Sequence, residues 1–194
     1  MKLDPNTALI PIDVQQAFDH APWPPRNNPA MEANGRRLLE AWRTSGRPLI
    51  HVKHDSVTPG STLAATHPGN ALRPGFEPRG DEALVHKSVN AAFIGTDLDL
   101  RLRRLGITSV VLFGISTDMC VSTTARVAAN LGYRTIVVGD ACFCFDQADG
   151  EGGVIPAEQI QRAHLATLRA EFAEVVDTDA VIALLREDAR ARAA

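Results

Sequence analysis

The sequence has no long apolar run, no strong net charge and few cysteines, and each of these absences excludes a class of protein. No segment approaches the roughly 18 consecutive apolar residues of a membrane-spanning helix, and the first ten residues lack the apolar core of a signal peptide. The formal net charge of −3 provides no general attraction to nucleic acid or to an anionic membrane. These absences predict a cytoplasmic protein that acts on a small molecule, with no nucleic-acid or membrane partner.

The three cysteines are too few for a disulfide framework, and none lies in a Cys-x-x-Cys pair of the zinc-binding type. Cys142 and Cys144 form a Cys-x-Cys pair, which we interpret as two small residues near a strand end, with a redox or metal role as the alternative. Nucleotide-binding motifs are missing too, because no GxGxxG follows the first predicted strand and no P-loop is present.

The composition, 45% hydrophobic and 22% charged over 194 residues, is typical of one globular domain spanning residues 1–194. Short apolar runs predict six strands, at residues 8–12, 48–53, 83–87, 107–113, 135–139 and 174–177. Amphipathic helices are predicted between them, at 28–45, 96–105 and 158–171. This alternation predicts a Rossmann-like, three-layer α/β fold, with an open sheet of about six parallel strands and helices on both faces.

Two regions interrupt the alternation, and both are rich in proline or glycine. Residues 19–29 read as a loop after the first strand. The segment 55–80 is predicted to be a lid or substrate loop, or else disordered, because so long a stretch without periodicity is usually functional or unfolded. The charged C-terminal residues 186–194 are predicted to be frayed.

Three reactive side chains follow predicted strands. Asp13 ends the first strand, Lys87 ends the third, and the fourth leads through GISTDM to Cys120. Considered one at a time, Asp13 is typical of a turn residue, Lys87 of a solvated strand end and Cys120 of an inert buried thiol. Parallel strands present their carboxyl ends at one edge of the sheet, where the sites of such folds lie, so we expect the three side chains to meet there.

A thiol, an ammonium and a carboxylate together suit acyl transfer. The thiolate is the nucleophile, and both a helix N-terminus and Lys87 would stabilise it. Asp13 would take the thiol proton and return it to a leaving amine, while backbone amides receive the oxyanion. The expected product is a thioester, which water then hydrolyses.

Three stretches resemble one known family. ALIPIDVQQAF (8–18), HKSVNAAFIGTDLDLRLRRLGI (86–107) and the run from Val110 to Cys142 are similar to motifs of the isochorismatase-like cysteine hydrolases. The resemblance implies a catalytic triad of Asp13, Lys87 and Cys120 and a cis peptide between Ile115 and Ser116. It also implies an oxyanion hole from the amides of Ser116 and Cys120, the six-stranded parallel fold, and assembly as a homo-oligomer, either dimer or tetramer.

The sequence departs from the nicotinamidase members, which bind a metal through an Asp-x-His arrangement after the second strand. Here that region reads HVKHDSVTPG, so we predict no metal and no cofactor. Pocket positions are assigned to six residues, with packing, capping or loop roles as alternatives: Phe18, Trp23, His54, Asn90, Phe93 and Ile115.

The predicted function is hydrolysis of a C–N bond in a small amide or ureide. The alternatives are an isochorismatase-type hydrolase of a vinyl ether, which needs no cysteine nucleophile, and a catalytically silent binding protein on the same fold. A serine hydrolase using Ser116 is disfavoured, because Asp118 stands where a nucleophile elbow requires glycine.

Overall fold

The computed structural model describes residues 2–19 and 22–193, and at its centre is a six-stranded parallel sheet. The strands are β1 (Thr7–Ile12), β2 (Ile50–His54), β3 (Ala83–Lys87), β4 (Ser109–Ile115), β5 (Arg134–Phe143) and β8 (Glu174–Val176), in the order β3-β2-β1-β4-β5-β8. A small antiparallel hairpin, β6 (Gln147–Ala148) with β7 (Val154–Ile155), follows β5. The predicted α/β fold with six parallel strands is confirmed.

Five α-helices surround the sheet: α1 (Met31–Ser45), α2 (Leu98–Arg104), α3 (Ser122–Asn130), α4 (Ala157–Thr167) and α5 (Thr178–Ala193). Every residue of β1 and β4 is buried, as expected for central strands that are covered on both faces. Helix α1 packs against α5 and the central strands, and α3 packs against β5. None of the described helices is long and apolar enough to cross a membrane.

The order in which strands are added to the sheet reverses at β1 and β4, although all six strands are parallel. From β1 it runs outward through β2 to β3, and it then returns to pair β4 with the opposite edge of β1. The crevice outside the carboxyl ends of two such strands is where α/β sheets bind ligands. Gly114, at the end of β4, has a φ of 137°, and a Cβ there would lie 2.0 Å from the carbonyl oxygen of Ile12. Only glycine permits this close approach of the two strands.

The segment 55–80 is fixed to the sheet edge by several contacts. It contains a 3₁₀ turn, Pro68–Asn70, and the buried Asn70 side chain donates to the carbonyls of His54 and Leu63 at 2.9 and 2.7 Å. Phe76 is fully buried in the core. The segment is therefore ordered, and its role as a lid stays a prediction.

The C-terminal region differs from the sequence prediction. Helix α5 extends to Ala193, so residues 186–193 are helical rather than frayed. Val181, Ile182 and Leu185 lie on one stripe of this helix and are buried, and this packing anchors the helix.

Candidate active site

Three elements bring Asp13, Lys87 and Cys120 together at the switch point. Asp13 follows β1, Lys87 ends β3, and Cys120 lies in a π-helical turn, Thr117–Val121, between β4 and α3. The Nζ atom of Lys87 lies 2.6 Å from Asp13 Oδ2 and 3.4 Å from Cys120 Sγ. The sequence predicted this convergence, and the structure contains it.

Asp13 is aimed into the site by its backbone. Its φ of 53° lies in the left-handed region, which aspartate tolerates better than most residues, and its amide donates to the carbonyl of Val52 at 2.9 Å. The side chain is buried, and Oδ1 has no hydrogen-bond partner among the described residues. This free carboxylate oxygen is an acceptor that stands ready for a proton.

The turn that carries Cys120 is built from the motif GISTDMC. Ile115 and Ser116 are joined by a cis peptide bond, as predicted. The Ser116 carbonyl accepts from the amides of Met119 and Val121, whereas the Ser116 amide has no acceptor in the part of the chain that the structure describes. An oxyanion hole formed by the Ser116 and Cys120 amides stays a prediction, and the open Ser116 amide is compatible with it.

Two acidic groups, the Asp13 carboxyl and the Cys120 thiol, share the single ammonium of Lys87. The side chains of Lys87 and Asp13 are 0% and 1% exposed. Burial raises the pKa of the Asp13 carboxyl, and Lys87 opposes that rise. Burial also raises the pKa of the Cys120 thiol, and the Asp13 charge raises it further. Lys87 opposes this rise, as expected from the sequence, but burial and the Asp13 charge outweigh it, so the thiol form of Cys120 is favoured in the resting site.

His54, at the end of β2, is the predicted pocket residue that the structure joins to the triad. Its Nδ1 lies 3.0 Å from Lys87 Nζ, and burial together with the Lys87 charge lowers its pKa, so the ring is neutral. Gln15 binds both peptide groups of His54, at 2.9 Å through Oε1 and 3.0 Å through Nε2. No role was assigned to Gln15 from the sequence. Its position in the ALIPIDVQQAF motif, two residues after Asp13, could have indicated one.

A metal ion does not fit the site as it is built. The ligand atoms of Asp13, His54 and Cys120 all lie within 4.8 Å of one another, which resembles a metal-ligand set. The ammonium of Lys87, however, contacts all three groups and already supplies the cation. A second cation would meet like-charge repulsion in a buried cleft. Metal-independent activity stays a prediction.

An aromatic cluster is formed by segments that follow β1 and β5, the two strands on either side of β4. Phe18 and Trp23 have ring centroids 4.7 Å apart, and Trp23 stacks on Phe145 at 5.0 Å. The Trp23 Nε1–H donates to Thr62 Oγ1 at 3.4 Å, which ties the cluster to the 55–80 segment. Because β4 lies between β1 and β5, the segments after those two strands flank Cys120. Phe145 was not predicted, although its position just after β5 could have indicated it.

Among the described residues, the other three predicted pocket residues have no hydrogen bond or ring contact with the triad, and their assignment to the pocket stays a prediction. Asn90 is exposed, Phe93 is 8% exposed and stacks on Tyr133, and Ile115 is fully buried in the core. Their assignment to the pocket gains nothing from the structure.

The remaining cysteines are buried behind the sheet edge. Burial raises the pKa of Cys142 to about 12 and also raises the pKa of Cys144, and the Cys142 thiol donates to the carbonyl of Val138. These two residues are packing groups, in line with the interpretation of the Cys-x-Cys pair. Cys120 is the one cysteine of the three that is not fully buried.

Comparison with known proteins identifies the isochorismatase family. The model of the isochorismatase domain matches residues 7–180. The isochorismatase family protein YrdC of Bacillus subtilis is 39% identical over 93% of this chain and 96% of its own length. The crystal structure of an isochorismatase-family protein from Chromobacterium violaceum superimposes with a TM-score of 0.92 at 40% identity, covering 96% of this chain and 97% of that one.

Relatives with a named activity are more distant. Streptothricin hydrolase of Streptomyces noursei is 32% identical over 80% of this chain but only 57% of its own length. Nicotinamidase 3 of Arabidopsis thaliana is 27% identical over 92% of this chain and 89% of its length. A cysteine hydrolase from Pseudomonas syringae superimposes with a TM-score of 0.87 at 26% identity, with 96% of each chain covered.

Proposed function

This chain belongs to the isochorismatase family of hydrolases, and from that membership we propose that it cleaves the C–N bond of a small amide or ureide through a thioester on Cys120. The observation that carries the proposal is the position of the Lys87 ammonium, 2.6 Å from Asp13 and 3.4 Å from Cys120. A nucleophile, a proton acceptor and the cation that stabilises both are thereby held in one buried cleft.

The proposed reaction begins with transfer of the Cys120 thiol proton to Asp13 as sulfur attacks the carbonyl carbon. Asp13 Oδ1, which has no partner among the described residues, is the oxygen that receives this proton. The negative charge passes to the carbonyl oxygen, which the amides of Ser116 and Cys120 would face.

Collapse of this tetrahedral adduct breaks the C–N bond. Asp13 returns the proton to the leaving nitrogen, and ammonia or an amine departs, leaving an acyl thioester on Cys120. Asp13 then takes a proton from water, whose oxygen attacks the thioester, and the acid is released while sulfur regains its proton. The net reaction consumes one amide and one water and yields one carboxylic acid and one amine.

The activities of two relatives support cleavage of a C–N bond. Nicotinamidase 3 is named for an amide substrate, and streptothricin hydrolase is named for hydrolysis. A vinyl-ether hydrolase needs no sulfur nucleophile, so the contact between Lys87 and Cys120 favours the amide reaction over that alternative.

Ammonia release from a panel of small primary amides and ureides tests the proposal, using the wild-type protein and C120A. The wild type is expected to release ammonia, and C120A is expected to lose at least a thousandfold in kcat, on the order of the loss when a nucleophile is removed. Mass spectrometry of the acid-quenched wild type should detect the acyl adduct on Cys120. A folded C120A with substantial turnover would refute the thioester route.

We also infer that a second copy of the chain covers the rim of the site. Exposed apolar side chains include Met119, which follows β4, and Val154 and Ile155 of the hairpin after β5; they are 42%, 64% and 39% exposed. Exposed apolar side chains are common at interfaces, and these support the dimer or tetramer that the family resemblance implied. Light scattering coupled to size exclusion measures the assembly directly.

A further inference from the structure

We propose that His54 is a fourth working member of the site, a neutral imidazole whose Nδ1 accepts from Lys87 and whose Nε2–H donates to an oxygen acceptor of the substrate. This inference rests on the proposed amide hydrolysis, which supplies a substrate with carbonyl oxygens. It assigns to His54 both a positioning and a substrate-binding role.

The hydrogen-bond geometry of Lys87 fixes the tautomer of His54. An ammonium has three N–H donors and no acceptor. Here the three donors have three neighbours, Asp13 Oδ2 at 2.6 Å, His54 Nδ1 at 3.0 Å and Cys120 Sγ at 3.4 Å. Because an ammonium cannot accept, His54 Nδ1 must offer its lone pair. The proton of the neutral ring is therefore on Nε2.

The main chain of His54 is held more firmly than a strand end requires. The buried Gln15 side chain accepts from the His54 amide and donates to its carbonyl, and Asn70 donates to the same carbonyl at 2.9 Å. Gln15 follows Asp13 by two residues, so one short segment positions two of the three neighbours of Lys87, Asp13 and His54. A backbone fixed to this degree, together with the Nδ1 contact to Lys87, suits a residue that must present a donor in one direction.

The Nε2–H of His54 is open. Among the described residues, Nε2 has no hydrogen-bond partner. It is not one of the fully buried polar atoms that lack a partner, and it is therefore accessible to solvent. The ring also lies in the cluster whose ligand atoms are within 4.8 Å of one another, together with Asp13 and Cys120. The uncommitted donor belongs to a ring whose other nitrogen contacts Lys87, so it is available to an oxygen of a substrate bound beside the triad.

Two substitutions test the roles of the two ring nitrogen atoms of His54 separately. H54N keeps an amide oxygen near the position of Nδ1, so it can still accept from Lys87, but it has no group at the position of Nε2. H54Q places an amide nitrogen near Nε2 and lacks the acceptor at the δ position. Each variant is assayed for ammonia release from the best amide of the panel and for the rate at which iodoacetamide alkylates Cys120 at pH 9.

We expect H54N to reduce kcat/KM more than H54Q does, and H54Q to change the alkylation rate more than H54N does. H54N should alkylate within about twofold of wild type yet lose about tenfold in kcat/KM, the size expected for one lost hydrogen bond. H54Q should retain more kcat/KM than H54N but show a larger change in alkylation rate, because Lys87 loses a partner. Urea unfolding of each variant shows that the protein is folded, and if H54N is not, H54Q decides by whether its kcat/KM stays within tenfold of wild type.

Two outcomes would overturn the inference. Wild-type kcat/KM in H54N would mean that Nε2–H binds nothing, and parallel losses of turnover and alkylation in H54N would mean that His54 acts through Lys87 alone. Failure of the proposed function looks different: the wild type would release no ammonia from any member of the panel, or a folded C120A would release as much as the wild type. Loss of activity in C120A with unchanged H54N would refute only the role of His54.

Discussion

Substituting methionine for Lys87 removes a buried ammonium and leaves a buried carboxylate behind. The side chains of Lys87 and Asp13 are 0% and 1% exposed, and the Lys87 ammonium lies 2.6 Å from Asp13 Oδ2. Methionine keeps most of the packing of the lysine stem, so the principal loss is the charge. The stability of K87M therefore reports how strongly the ammonium compensates Asp13.

The size of the effect follows from proton linkage. Burial already raises the pKa of Asp13, and Lys87 opposes that rise, so K87M raises the pKa further. A carboxyl whose folded pKa exceeds its unfolded pKa binds more protons when folded, and stability then falls as pH rises between the two values. The slope is about 1.4 kcal/mol per pH unit, which gives at most about 4 kcal/mol between pH 4 and pH 7. Breaking a buried ion pair costs a similar amount, about 3–5 kcal/mol.

Urea unfolding at pH 4.5 and pH 7 measures this effect in wild type, K87M and the double variant D13N/K87M. The deficit of K87M relative to wild type should be small at pH 4.5 and larger at pH 7, and the double variant should lose most of that pH dependence. The hydrolytic rate of K87M should fall at least about a hundredfold, because a protonated Asp13 accepts no proton from the thiol. A deficit of equal size at both pH values, or one that persists in D13N/K87M, would refute the charge argument.

Three further substitutions or treatments test the remaining parts of the site. D13N should lose at least about a hundredfold in kcat while staying folded, since it removes the proton acceptor; near-normal kcat would exclude Asp13 from that role. Alkylation by iodoacetamide should be confined to Cys120, slow at pH 7 and faster at alkaline pH, because burial keeps the thiol protonated; fast labelling at pH 7 would contradict the resting thiol. Exhaustive chelation should leave ammonia release unchanged, and a loss that zinc, iron or manganese restores would show that a metal displaces Lys87 from Asp13, His54 and Cys120.

The sequence predicted the sheet and the triad because both depend on local patterns. Buried parallel strands appear in the sequence as apolar, β-branched runs. The residues at the end of each run, or in the turn after it, can be identified without knowing how the strands pair. Asp13, Lys87 and Cys120 all stand at such positions. Helix α5 was missed because its apolar stripe, Val181, Ile182 and Leu185, is short and lies within a charged, alanine-rich tail.

The parts of the site that could not be predicted depend on register and burial. The contact of His54 with Lys87 requires β2 and β3 to pair with these two residues opposite each other, and the sequence does not specify that register. The contact of Gln15 with His54 likewise depends on how the segment after β1 folds over β2. The net rise in the pKa of Cys120 was not predicted, because nearby charges can be read from sequence whereas the extent of desolvation cannot.

A raised thiol pKa is compatible with a nucleophilic Cys120 if the site never carries two negative charges. At rest the single charge is on Asp13, balanced by the Lys87 ammonium 2.6 Å away. When the thiol proton moves to Asp13, sulfur bonds to carbon and the charge moves to the substrate oxygen, so the count of charges is unchanged. Lys87 lies within 3.4 Å of sulfur as well and stabilises both arrangements. The rate of hydrolysis should therefore rise with pH as Asp13 ionises and should not require prior ionisation of Cys120, which a pH profile of kcat/KM can distinguish.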